Sequence, residues 1–127
     1  MVSSAFGAIA DVLAAHRERV LLLTQVGSIH IRSSRALVLQ RICYTDLDLQ
    51  LKKHGIHQLI LVGVIAHTCV EATVRFAAEL GYEVTVVKDA TASYSDREMR
   101  AALEVNIPNY ASGIVTTKEV VDAISSL

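Results

Sequence analysis

The apolar residues of this chain change period several times, and the switches mark its elements. Residues 58–63, Gln-Leu-Ile-Leu-Val-Gly, hold a short unbroken run of branched side chains, the pattern of a strand buried on both faces. After it, Cys69, Thr73, Phe76 and Leu80 recur at helical spacing, predicting a helix over 68–80 that Gly81 stops as its C′ residue. Thr68 and Glu71 have capping-box spacing, which places Thr68 at the N-cap and Cys69 at the first helical position. The same reading gives a helix over 6–16, a strand over 19–26, a short helix over 46–54 capped by Thr45 and stopped by Gly55, and a strand over 83–88. Ser95 with Glu98 opens a helix that stops before Pro108; a strand follows over 113–116, and Thr116 with Glu119 opens the last helix. Residues 35–42 are apolar enough for either type. Strands alternating with capped helices predict a parallel sheet between two helical layers, a three-layer α-β-α sandwich. One domain over 1–127 is expected, without internal repeat or linker.

That pattern gives Cys69 a chemical setting. A thiol in the first turn of a helix, at the carboxyl end of a strand, meets unpaired backbone N–H groups and the positive end of the helix dipole, which favour the thiolate. A lone cysteine is more often a small buried apolar residue, so the neighbouring residues have to decide.

They do so through a resemblance. Gly63-Val64-Ile65-Ala66-His67-Thr68-Cys69-Val70-Glu71-Ala72-Thr73, then Glu79-Leu80-Gly81-Tyr82-Glu83-Val84-Thr85, then Asp89-Ala90-Thr91-Ala92, resembles the isochorismatase-like cysteine hydrolases in order and spacing. The resemblance starts at Thr45-Asp46-Leu47-Asp48-Leu49 and runs to the C-terminus, while 1–44 is truncated or divergent. It implies that Cys69 is the nucleophile, that the Val64–Ile65 peptide is cis, and that the amides of Ile65 and Cys69 form an oxyanion hole. It also implies a small-molecule substrate with an amide, imide or vinyl-ether bond, and a homo-oligomer.

The same resemblance exposes what is missing. The family pairs its cysteine with a general-base aspartate on the first strand and with a lysine on a later one. Residues 8–26 match the family's first helix and second strand, so the first strand's place falls before Met1; Asp11 lies within the helix and does not replace the aspartate. The lysine's place falls near Ser34, flanked by Arg32 and Arg35, whose guanidinium groups hold their protons too tightly to carry them. The chain therefore reads as a truncated or internally deleted version of the fold. Its first strand would lie between 20–26 and 58–63, and these two are expected to pair directly, with 29–42 poorly packed.

Composition narrows the partners. A formal charge of −1 gives no basic surface for nucleic acid or an anionic membrane, and no apolar run approaches the length of a membrane span. Two cysteines, Cys43 and Cys69, make no disulfide framework, and the N-terminus has no basic region of a secretory leader, so a reducing cytoplasm is expected. No metal or cofactor is expected: His54 and His57 straddle Gly55 and do not converge, and Gly63 stands alone where a dinucleotide loop needs three glycines. Asp89, just past a strand end, either faces the substrate crevice or accepts backbone N–H bonds in a turn. His67 either touches substrate or is a loop histidine, the latter favoured because residues two apart on a helix start face different ways. Tyr94 and Tyr110 either line the pocket or pack. Three readings stay open: a hydrolase acting through Cys69 but impaired, an inactive remnant serving as an interaction or oligomerisation module, and a redox-responsive thiol.

Overall fold

The computed structural model describes residues 2–15, 20–24 and 46–126. In chain order these form α1 (Val2–Ala15), β1 (Val20–Thr24), α2 (Leu47–Lys53), β2 (Gln58–Val64), a wide π-type turn (Ala66–Val70) running into α3 (Glu71–Glu79), and β3 (Glu83–Ala92). Helix α4 (Asp96–Arg100) continues through a second wide turn (Ala101–Asn106) and a 3₁₀ turn (Ile107–Asn109), and β4 (Gly113–Val115) and α5 (Thr117–Ser125) complete the fold. The strands make one wholly parallel sheet in the order β1-β2-β3-β4.

Strand β2 shows why a continuous apolar run becomes an interior strand. Alternate side chains point to opposite faces, so Leu59 and Leu61 enter one core while Ile60 and Val62 enter the other. The first core joins them to Leu47 and Leu51 of α2, Val74 and Ala77 of α3, and Ala102 and Ile107 of the α4 run. The second gathers Ile9 of α1 with Val120 and Ile124 of α5 over Val87 and Ala90. Helices thus cover both faces, as the alternation of elements predicts.

Helix ends follow local chemistry. Gly55 and Gly81 both have positive φ, and each sits in a complete Schellman motif. In α3 the N–H of Tyr82 reaches the carbonyl of Ala77 at 3.0 Å and that of Gly81 reaches Ala78; in α2, Ile56 reaches Leu51 and Gly55 reaches Lys52. Ser95 accepts the Glu98 N–H at the start of α4. Thr116 and Glu119 form a full reciprocal capping box on α5, and the Thr116 backbone and hydroxyl donors hold the Glu119 carboxyl below its usual range.

Several boundaries differ from expectation. Helix α1 begins at Val2, four residues earlier than its periodic stretch. Helix α2 has Asp46 at its N-cap, with no side-chain capping bond; Thr45 lies outside the described residues, as do 25–45 with Ser34, Cys43 and the segment 35–42. The α4 run passes through Pro108 rather than stopping before it, because a proline near the start of a 3₁₀ turn forfeits no helical N–H bond. Strand β4 ends at Val115, leaving Thr116 as the cap of α5. Strand β3 continues to Ala92 through an irregularity: between the pairs Leu61–Val86 and Gly63–Thr91, the single residue Val62 of β2 stands against the four residues 87–90 of β3. Thr91 spans this excursion by donating its hydroxyl to the Val87 carbonyl at 2.8 Å. Gly63, opposite it, has φ 125°, where a side chain would be strained.

Strand β1 lies directly against β2 in unbroken register, Val20 beside Gln58 through Thr24 beside Val62. The direct pairing expected from sequence is thus present, and no strand's width separates the two.

Candidate active site

Past its last residue, β2 runs into a backbone corner. The Val64–Ile65 peptide is cis, and Ile65, extended at φ −105° and ψ 135°, is the N-cap of the wide turn. Its carbonyl accepts the N–H of Thr68 at 3.2 Å and of Val70 at 3.1 Å, the two amides flanking that of Cys69. Ala66 and Val70 are buried and pin the turn to the core, while Thr68 and Cys69 face outward. The Cys69 thiol is free and exposed.

This geometry corrects the capping expectation. Ala66, not Cys69, is the first residue of the turn, and Thr68 is not its N-cap. The Thr68 hydroxyl donates to the Ile65 carbonyl at 3.4 Å and to Sγ of Cys69 at 3.7 Å. Glu71 cannot reach back because its carboxylate is held elsewhere. Arg75, one turn on, donates to it at 2.6 Å and the Asn106 amide at 3.1 Å. Arg75 also lies over the Tyr110 ring, 4.8 Å from its centroid. A charge-assisted pair at i,i+4 outcompetes a neutral cap at the mostly buried Glu71. Tyr110 therefore packs, one of the two roles its sequence left open.

His67 and Asp89 make their hydrogen bonds to groups other than the thiol. His67 belongs to the turn itself rather than to a loop, and its ring reaches across to the connection after β3. There its Nδ1 is hydrogen-bonded to Oγ of Ser93 and its Nε2 lies 3.8 Å from Oε1 of Glu98. The Tyr94 ring stands edge-on to it at 6.2 Å and is itself 78% exposed. Asp89 sits in the β3 excursion, within a strand rather than past its end. Its Oδ1 accepts the N–H of Thr117 at 2.7 Å and the Thr117 hydroxyl at 2.9 Å, fixing the first residue of α5. Among the described residues, no carboxylate or ammonium is hydrogen-bonded to Sγ of Cys69. Every lysine and every carboxylate except Glu18 and the C-terminus lies within the described residues. No group of three His, Cys, Asp or Glu side chains among them is placed to hold a metal. No helix is long and apolar enough to cross a membrane among the same residues.

Sequence reasoning missed Ser93, Glu98, Arg75 and Asn106. Arg75 could have been found from its i,i+4 spacing to Glu71. Ser93 and Glu98 lie 26 and 31 residues from His67, beyond any local signal.

Comparison with known proteins identifies the family. The isochorismatase domain model matches residues 39–119, more than half of the chain and starting six residues before Thr45. The uncharacterised isochorismatase family protein YwoC of Bacillus subtilis is 38% identical over 80 residues, 63% of this chain and 42% of that protein. The nicotinamidase of Saccharomyces cerevisiae is 46% identical over 52 residues, 41% of this chain and 24% of the enzyme. The chain thus spans less than half the length of either relative. An isochorismatase family protein from Burkholderia thailandensis shares the fold with a TM-score of 0.76 at 21% identity, over 98% of this chain and 83% of that one. With the family model covering β2, the Cys69 turn, β3 and β4, the chain belongs to the isochorismatase family.

Proposed function

We propose that the chain is a hydrolase of a small molecule with an amide, imide or vinyl-ether bond, acting through Cys69 and impaired because no carboxylate among the described residues is bonded to the thiol as a general base. The observation that carries this reading is an exposed free thiol in the turn at the carboxyl end of β2, where open parallel sheets bind ligands. On an amide or imide, Sγ of Cys69 bonds to the carbonyl carbon while the amides of Ile65 and Cys69 receive the developing oxyanion. The C–N bond breaks as the thiol proton passes through solvent to the departing nitrogen, and water then cleaves the thioester, releasing the acid and restoring the thiol. Such amide donors are worth roughly 3 kcal/mol each in a transition state. The relative named nicotinamidase speaks for an amide substrate. Impairment follows from the carboxylates, none of which is bonded to the thiol among the described residues, since general acid–base help is worth about 10²–10⁴ in rate. A reducing cytoplasm would keep the thiol free, and assembly with further copies belongs to the same proposal.

Direct pairing of β1 with β2 favours a second reading. It leaves no place between them for a strand bearing an aspartate, and the chain then serves as an interaction or oligomerisation module. Alkylation by iodoacetamide mapped to Cys69, with slow turnover of nicotinamide or another amide lost in Cys69→Ala, is the expected result of the first reading. A reactive Cys69 without any Cys69-dependent turnover, in a chain that elutes as a defined oligomer, would replace it with the second.

A further inference from the structure

The cluster around His67 is not used by the Cys69 reading, and its order is that of an activated nucleophile. Ser93 Oγ is hydrogen-bonded to Nδ1 of the His67 ring, and Oε1 of Glu98 lies 3.8 Å from Nε2, within ion-pair range but beyond a hydrogen bond. A nucleophile within hydrogen-bond reach of a base, itself oriented by a third group, is recognised by these roles and not by chain order. In the neutral tautomer with its proton on Nε2, the ring offers Nδ1 as acceptor to the serine hydroxyl, and once protonated it carries its charge within ion-pair range of Glu98. The Ser95 hydroxyl donates to the other Glu98 oxygen at 3.0 Å, so the carboxylate is itself held. Part-exposed His67 and Glu98, at 25% and 36%, leave the cluster open to solvent beside the exposed Tyr94 ring.

We propose that Ser93, His67 and Glu98 form a second nucleophilic site, acting on small esters and independent of Cys69. Ser93 Oγ bonds to the ester carbonyl carbon while its proton passes to Nδ1 of His67, and Glu98 stabilises the imidazolium. The ester C–O bond breaks, and His67 returns the proton to the departing alkoxide. Water then attacks acyl-Ser93 with its proton taken by His67, releasing the acid and restoring the hydroxyl. Tyr94 offers the acyl or leaving group an aromatic face.

The test uses an alkyl fluorophosphonate, from which the same attack forms an O–P bond and expels fluoride. It is run on the full chain carrying Cys69→Ala, so that the thiol does not contribute. Mass spectrometry is expected to place the adduct on Ser93, with a labelling rate that falls about 10²-fold in His67→Gln and by a smaller factor in Glu98→Gln. Glu98→Gln, at a part-exposed position, carries the reading if His67→Gln does not fold. An unlabelled Ser93 in folded Cys69→Ala protein, or labelling that neither His67→Gln nor Glu98→Gln slows, overturns the proposal. The three side chains are then only a clasp between the turn and the connection after β3.

Discussion

Asp48 and Gly63 show how single side chains set the tolerance of this fold. The Asp48 carboxylate accepts the Tyr82 hydroxyl at 2.7 Å and the Lys52 ammonium, and these donors, Tyr82 first, hold it below its ordinary value. Burial and then the Asp48 bond hold the Tyr82 phenol well above its own. A depressed carboxylate contributes stability that is complete above the unfolded-state value of about 4 and is lost as pH falls through the folded one. The raised phenol contributes below about 10 and fades as pH rises. With the Asp48 side chain 29% exposed, solvent screening keeps its share to about 1 kcal/mol or less. The stability gap between wild type and Asp48→Asn in urea is expected to be flat from pH 5 to 8 and to shrink below pH 4. A gap that widens in acid would contradict it. Gly63→Ala places a side chain at φ 125° and is expected to cost roughly 1–3 kcal/mol; a loss under 0.5 kcal/mol would mean that the strand end relaxes freely.

At the scale of elements, one spacing had two outcomes, and the difference measures how far local sequence reaches. Thr116 with Glu119 became a complete capping box because, among the described residues, no other group is hydrogen-bonded to that exposed carboxylate. Thr68 with Glu71 did not, because Arg75 and Asn106 claim Glu71 and buried Ala66 starts the turn early. Strand β2, both Schellman glycines and the α4 cap were legible for the same reason that α5 was, since each rests on residues within one turn or one pleat of each other. The β3 excursion was not, as only the sheet register reveals three extra residues around Asp89. Thr116→Ala is therefore expected to lower stability by about 1 kcal/mol in thermal or urea unfolding. Thr68→Ala, which removes no cap, should stay within about 0.5 kcal/mol. Equal losses at the two sites would show that Thr68 caps the turn in solution.

For the whole molecule, the decisive feature is that β2 is interior in every direction. Its side chains feed both cores, and its backbone lies between β1 and β3. Truncating Leu61, which is 1% exposed, to Ala is expected to cost about 2–5 kcal/mol because the first core cannot close around the void. The pairing partner makes a sharper test. In a parallel strand, successive residues aim their N–H groups at opposite neighbours, so alternate amides of Gln58–Val64 depend on β1 and the rest on β3. If β1 holds its register against β2, amides of both sets near the strand centre exchange with solvent only through global unfolding, and Leu61→Ala speeds both by one common factor. Were β1 displaced, the set facing it would exchange orders of magnitude faster while the β3-facing set stayed protected. Residue-resolved amide exchange on the full chain separates the two outcomes. Uniform protection along β2 is the expected one, because interior amides without partners would each cost roughly 1–3 kcal/mol.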